Sequence, residues 1–72
     1  MRYDIAGIGE RIADLREAKG WQRIDLTRKL NVQDHRVNNW ESGAFYPSLV
    51  SLVELCEILD CKITDLISEV SA

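Results

Sequence analysis

Proline occurs once, at Pro47, and glycine four times. Chain-breaking residues are too few for a loop-rich or low-complexity chain, so helical segments have room to run between them. No apolar run approaches the ~18 residues needed to cross a bilayer, and no membrane partner is expected. The start, Met1-Arg2-Tyr3-Asp4, leads into amphipathic sequence rather than an uninterrupted apolar stretch. No secretory signal is read there, and a cytoplasmic setting is expected. Cysteine is confined to Cys56 and Cys61, and the one histidine, His35, is far from both in sequence. These residues do not make a zinc constellation, so no metal is expected. Both cysteines lie in apolar-periodic sequence beside Leu55, Leu59 and Ile63 and read as reduced core thiols. Also missing are a Ser/His/Asp or Cys/His grouping, a paired acid in a cleft-forming segment and a Gly-rich phosphate loop. Neither an enzyme nor a cofactor is expected, and nothing marks a small-molecule site.

What is present is a packed-globule composition, 46% apolar over 72 residues. That length fits one domain, residues 1–72, with no internal repeat and no linker. A domain this small buries only about 60% of its unfolded surface, so its core is thin. Net charge is −3, but the charge is unevenly spread. Residues 1–20 balance to zero, residues 21–46 carry a net +1, and residues 47–72 carry a net −4. Such asymmetry points to two faces with different partners.

Apolar spacing predicts an all-α fold of five helices with no sheet, since period-two alternation is nowhere sustained. The first helix runs over Ile8 to Ala18, with Ile5, Ile8, Ile12 and Leu15 as its stripe and Gly20 able to end it. The second covers Arg23 to Leu30, with Ile24, Leu26, Thr27 and Leu30 on its buried side. Asn31 tolerates positive φ, which suits a sharp turn. The third covers Asp34 to Ser42, with Val37 and Trp40 inward and Gly43 ending it. The helical phase of Trp21 and Trp40 favours core for both. Ser48 is the candidate N-cap of a fourth helix whose stripe is Leu49, Leu52, Val53, Cys56 and Leu59. A short fifth helix covers Ile63 to Val70, with Ile63, Leu66 and Ile67 inward.

Residues 23–42 carry the functional argument. Two short helices joined by a tight turn must share one core through Leu26, Leu30, Val32, Val37 and Trp40. The outer face of the second is then free, and a major groove is wide enough to admit it. At about 100° per residue, His35, Asn38, Asn39 and Ser42 point outward, with Asp34 and Arg36 to either side. Asparagine can pair bidentately with adenine, arginine with guanine, and aspartate can accept from cytosine. Asp34, His35, Arg36, Asn38 and Asn39 are therefore the candidate base readers on double-stranded DNA. Arg36 is placed to reach either guanine or backbone. Arg23, Gln33, Ser42 and Tyr46 are the candidate phosphate contacts; for Phe45 and Tyr46, packing over helix three or four is the competing reading.

Four segments then have to be taken together. They are I-G-E-R-I-A-D-L-R-E-A-K-G, L-T-R-K-L-N-V, V-N-N-W-E-S-G and Y-P-S-L-V-S-L-V-E-L-C-E-I-L. In this order and spacing, from Ile8 to Ile67, the chain resembles the Cro/repressor-type (XRE-like) helix-turn-helix family. The resemblance implies a compact five-helix domain that binds operator DNA, usually as a dimer. It also implies an ion pair between Arg16, late in helix one, and Glu41 of the W-E-x-G segment. Three departures bear on function. Arg23 stands where the family usually has a phosphate-binding glutamine. Thr27 and Asn31 stand where a small residue and a glycine are usual. The loop Gly43-Ala44-Phe45-Tyr46-Pro47 lacks the basic residues common there, which should weaken nonspecific affinity.

The expected function is that of a sequence-specific transcriptional regulator, a repressor acting as a homodimer on a pseudo-palindromic operator. Helix five and the end of helix four, around Leu66, Ile67 and Val70, are the expected dimer surface. The rival is a protein-interaction module on the same fold, an antirepressor or partner-binding domain, favoured by the acidic last third and the apolar Ala44-Phe45-Tyr46 loop.

Overall fold

The computed structural model describes the backbone of residues 2–4 and 7–70 and the side chains of residues 7–67. A short strand, β1 (Arg2–Asp4), precedes five helices: α1 (Ile8–Ala18), α2 (Arg23–Leu30), α3 (Asp34–Ser42), α4 (Leu49–Leu59) and α5 (Ile63–Leu66). A second strand, β2 (Ser68–Val70), follows. The bounds of α1, α2 and α3 are those predicted from periodicity and punctuation. Ser48 caps α4, its hydroxyl accepting from the Ser51 amide at 3.2 Å.

The helices are short because the chain turns sharply between them. Gly20, Asn31 and Asp60 all adopt positive φ, at 75°, 55° and 54°. Each follows a helix and reverses the chain in the same way. The next amide reaches back to a carbonyl five residues earlier: Trp21 to Arg16 at 3.2 Å, Val32 to Thr27 at 3.2 Å and Cys61 to Cys56 at 3.0 Å. This is the Schellman arrangement, which satisfies carbonyls that a helix end otherwise leaves unpaired. Asparagine and aspartate tolerate the left-handed conformation through their short polar side chains.

The core is drawn evenly from the helices. Ile8 and Ile12, Leu26 and Leu30, Val37 and Trp40, and Leu55 and Leu59 are buried, with Leu66 from α5. Trp21 packs half-buried against this cluster. Each such side chain contributes about 1.5–3 kcal/mol by leaving water. Helix α3 packs on both α1 and α2, while α4 closes the core from the α2 side and α5 bridges α4 and α1. Among the described residues no helix is long and apolar enough to cross a membrane.

The five-helix architecture stands, but the expectation of no sheet does not. β1 and β2 pair antiparallel, Arg2 opposite Val70, Tyr3 opposite Glu69 and Asp4 opposite Ser68. Strands of three residues are too short to show alternation, and their pairing depends on the fold bringing distant segments together. Helix five accordingly ends at Leu66 rather than Val70, because Ile67 is already extended at φ −110°. The predicted stripe of α4 holds at Leu59, which is buried, and at Leu52 and Cys56, which pack against the core, but not at its other two positions. Leu49 and Val53 are exposed, and Leu55, which the stripe omitted, is fully buried. The helix reads Leu-Val-Ser-Leu-Val-Glu-Leu-Cys-Glu-Ile-Leu, apolar on nearly every side, so periodicity alone cannot choose its inner face. Ile24 and Ile63, both expected inward, are exposed. Leu66 is 0% exposed and cannot pair with another copy, so the expected dimer surface is wrong there. Ile5 and the side chain of Val70 lie outside the described residues.

Candidate nucleic-acid interface

The position of α3 is set by two locks on α1. The first is steric. A Cβ at Gly9 would stand 2.3 Å from the Trp40 carbonyl oxygen and 2.8 Å from that of Glu41. Only glycine allows the two backbones to approach this closely. The second is ionic. Arg16 Nε donates to Glu41 Oε2 at 2.8 Å and Nη2 to Glu41 Oε1 at 3.2 Å. Nη1 donates to the Trp21 carbonyl at 2.6 Å. The side chains of Arg16 and Glu41 are only 10% and 8% exposed, so the pair is bidentate and well shielded from water. One guanidinium thus joins α1, the turn into α2, and α3.

With α3 held there, its outer face carries the candidate readers. Asp34, His35, Arg36 and Asn38 are exposed and Asn39 is half-buried. They do not form one cluster. His35, Arg36 and Asn39 line a groove of roughly 380 Å³ together with Phe45, Tyr46, Ser48 and Ser51. Asn38 turns to the opposite flank. There its Oδ1 accepts from Arg23 Nη1, and Arg23 Nε stands 4.0 Å from Glu41 Oε1. Asn38 and Ser42 share this flank with the acidic Glu10, Asp14 and Glu17 of α1. Gln33 lies with Arg36 at the start of α3, beside the Asn31 turn.

The face is therefore a ridge with a polar shoulder on each side. Arg23, exposed at the first turn of α2, forms one shoulder. The loop after α3 forms the other, turned by Gly43 at φ 84° and tied back by the Phe45 amide to the Asn39 carbonyl at 3.3 Å. Phe45 and Tyr46 are 66% and 53% exposed, so they do not pack away under α3 or α4. The Tyr46 hydroxyl is available for a phosphate, and Phe45 offers an apolar surface of the kind a thymine methyl accepts.

Several features of this site are not visible in the sequence reading. Ser48 and Ser51 border the groove beside α3, and the Ser-x-x-Ser spacing at the start of α4 is the signal that marks them. Arg23 bridges α2 to α3, a contact between residues fifteen apart that no local pattern indicates. Lys19 and Lys29 lie over the Trp21 ring, their ammonium groups 5.4 and 4.7 Å from its centre. Trp21 thereby gathers two cations at the α1–α2 corner. Among the described residues no group of three or more His, Cys, Asp or Glu side chains is arranged to hold a metal ion.

Comparison with known proteins agrees with this geometry. The Cro/C1-type HTH DNA-binding domain matches residues 11–70. Among solved structures, the chain is similar to the restriction-modification controller protein C.AhdI from Aeromonas hydrophila. The two are 30% identical with a TM-score of 0.79, over 88% of this chain and 96% of that one. A search of curated proteins finds no match. The match takes in α2, α3, α4 and α5, the loops between them and the later part of α1, and so covers every residue of the two flanks except Glu10. The family is one of DNA-binding regulators rather than enzymes, and the chain belongs to the Cro/C1-type helix-turn-helix DNA-binding family.

Proposed function

We propose that this chain is a sequence-specific transcriptional repressor that binds double-stranded DNA as a homodimer on a pseudo-palindromic site. The observation that carries the reading is the polar outer face of α3. It presents amide, imidazole, guanidinium and carboxylate groups between two shoulders able to meet phosphates. The similar C.AhdI is described as a controller protein of a restriction-modification system, which supports a regulatory role. In this reading Asn39, His35, Arg36, Asp34 and Asn38 meet base edges, while Arg23, Gln33, Ser42 and Tyr46 meet the backbone. Asn38 releases Arg23 as it does so.

One reading helix covers too few base pairs to specify an address, and two helices one DNA turn apart, about 34 Å, solve this. The surface best suited to bring two copies together is the apolar side of α4 and the start of α5. Leu49 is 75% exposed, and Val50, Val53 and Ile63 are exposed beside it. Apolar area of this kind on a small domain is most simply covered by an equal surface related by a two-fold axis.

One observation favours a protein-interaction module instead. The Arg23–Asn38 flank is bordered by three carboxylates, which repel a phosphate backbone. In vitro selection of bound duplexes at moderate salt, followed by sedimentation of the complex, separates the two. A recovered two-fold motif bound by two chains supports the repressor. Recovery of no motif, or of one chain on an asymmetric site, rejects it.

A further inference from the structure

The apolar side of α4 has a pair of thiols in its floor. Leu49, Val53, Cys56, Glu57, Cys61 and Ile63 line an open groove of roughly 530 Å³. Both cysteines are free and partly exposed. They are also the two residues that the turn after α4 forces together. In a Schellman turn the side chains at the two ends of the longer hydrogen bond touch, and that contact is ordinarily apolar. In this chain the turn after α1 sets Arg16 against Trp21, and the turn after α2 sets Thr27 against Val32. After α4 the same two positions hold sulfur.

The distance suits a covalent bond. Cys61 N lies 3.0 Å from Cys56 O. A carbonyl oxygen is about 2.4 Å from its own Cα and an amide nitrogen about 1.5 Å from its own, so the two Cα atoms stand no more than about 7 Å apart. Disulfides span Cα separations of about 4.4–6.8 Å. Both side chains also line the same groove, and the Cys56 thiol is near enough to help push the Cys61 thiol up. The bound reaches that range, so at most a small local adjustment joins them.

We propose that Cys56 and Cys61 form a reversible intrachain disulfide, and that a second copy of the chain seated on this groove closes the thiols to oxidant. The second clause rests on the pairing surface given under the proposed function; the first does not. Oxidation proceeds by exchange with a small-molecule disulfide. One cysteine thiolate attacks a sulfur of the reagent, forming a mixed disulfide and expelling one thiolate. The other cysteine then attacks the protein sulfur of that mixed bond and releases the second thiolate. The two protons leave the cysteines and end on the released thiols. The reagent takes up two electrons and the protein gives them. Burial, and then the adjoining Cys56 thiol, push Cys61 up to about 11. The thiolate is the attacking species, so Cys61 is poorly suited to begin the exchange. Cys56 takes the first step and Cys61 resolves it.

The test is incubation of the full chain with oxidised glutathione, with intact mass and non-reducing gels as readouts. The expected product is a single chain lighter by two hydrogens and restored by dithiothreitol. Cys61→Ser should stop at the mixed disulfide with glutathione. Disulfide-linked pairs of chains as the main product would overturn the proposal. So would no mass loss under conditions that oxidise the same chain unfolded in urea. The shielding is read separately, from the rate of oxidation against protein concentration. Wild type should slow several-fold as sedimentation shows dimers forming, while Val53→Asp, which stays monomeric, should keep one rate throughout. A rate that ignores dimer formation in wild type overturns the shielding and moves the pairing surface elsewhere. It leaves the disulfide intact.

Discussion

The two halves of this domain are held together by different means. Around α1 and α3 the contacts are particular: one glycine that admits a neighbouring backbone, one guanidinium with three segments on it, one arginine bridged to an asparagine. Around α4 and α5 the contacts are general. Leu55, Leu59 and Leu66 fill the core, and a surplus of apolar side chains faces outward. Hydrophobic burial is non-directional, so the second half can be built from many combinations of similar residues. The first half cannot, because each lock fails when one atom is added or one charge is lost. Orientation is specified around the proposed reading helix, and area is left free where another surface can be covered.

Four experiments bear on this contrast. The largest effect is expected from Glu41→Ala. Removing one partner of a buried ion pair leaves Arg16 uncompensated and should cost about 3–5 kcal/mol in urea unfolding. A loss under about 1 kcal/mol, typical of a surface pair, would mean that the particular half is not particular. Next comes Gly9→Ala. In an open helix this change stabilises by roughly 0.5–1 kcal/mol. Here the new Cβ meets two backbone carbonyls, and the expected result is a loss of about 3 kcal/mol. Gly7→Ala, with nothing within 4 Å, is the control and should be close to neutral.

The third concerns the reading face. Asn39→Ala should weaken the preferred duplex by roughly 1–3 kcal/mol and relax choice at one base position. Arg23→Ala should weaken all duplexes alike and lower the salt slope by about one. Binding to selected and scrambled duplexes over a salt series checks both. If Asn39→Ala and Asn38→Ala leave site preference intact in a folded protein, α3 is not the reading element. The smallest effect is expected from Val53→Ser. On the exposed side of α4 it should change monomer stability by less than about 0.5 kcal/mol. Leu55→Ala, two residues on and just over half a turn away, should cost about 2–5 kcal/mol. Equal losses from the two would erase the distinction between core and spare surface.

How far these features can be read from sequence follows the same division. The bounds of α1, α2 and α3, the Asn31 turn and the Ser48 cap are legible because each depends on residues a few positions apart. The five candidate readers are named by phase relative to Val37 and Trp40, and the structure leaves all but half-buried Asn39 exposed. The phase of α4 is not legible, since apolar residues surround it and only packing against α2 and α5 selects Leu55 over Val53. The β1–β2 ribbon is hidden because three-residue strands carry no periodicity and pair across nearly the whole chain. Gly9 gives no sign of its role, because the atoms that forbid a side chain there belong to Trp40 and Glu41, more than thirty residues on. What occupies the Asn38 flank is hidden, because Arg23 reaches it through a tertiary contact.

The glycine contact also bears on how recognition is divided between entropy and contact energy. With backbone against backbone at Gly9, α3 has a hard stop: it can neither roll nor slide toward α1 without atomic overlap. If α3 reads DNA as proposed, its freedom is lost when the chain folds, not when it meets DNA. Association then loses little further order, which is the general advantage of a preorganised surface. It also means that a mismatched base pair cannot be accommodated by rotating the helix toward α1. On that proposal the error appears as missing contacts, and discrimination between sites should be sharper than a loosely seated helix with the same side chains would give.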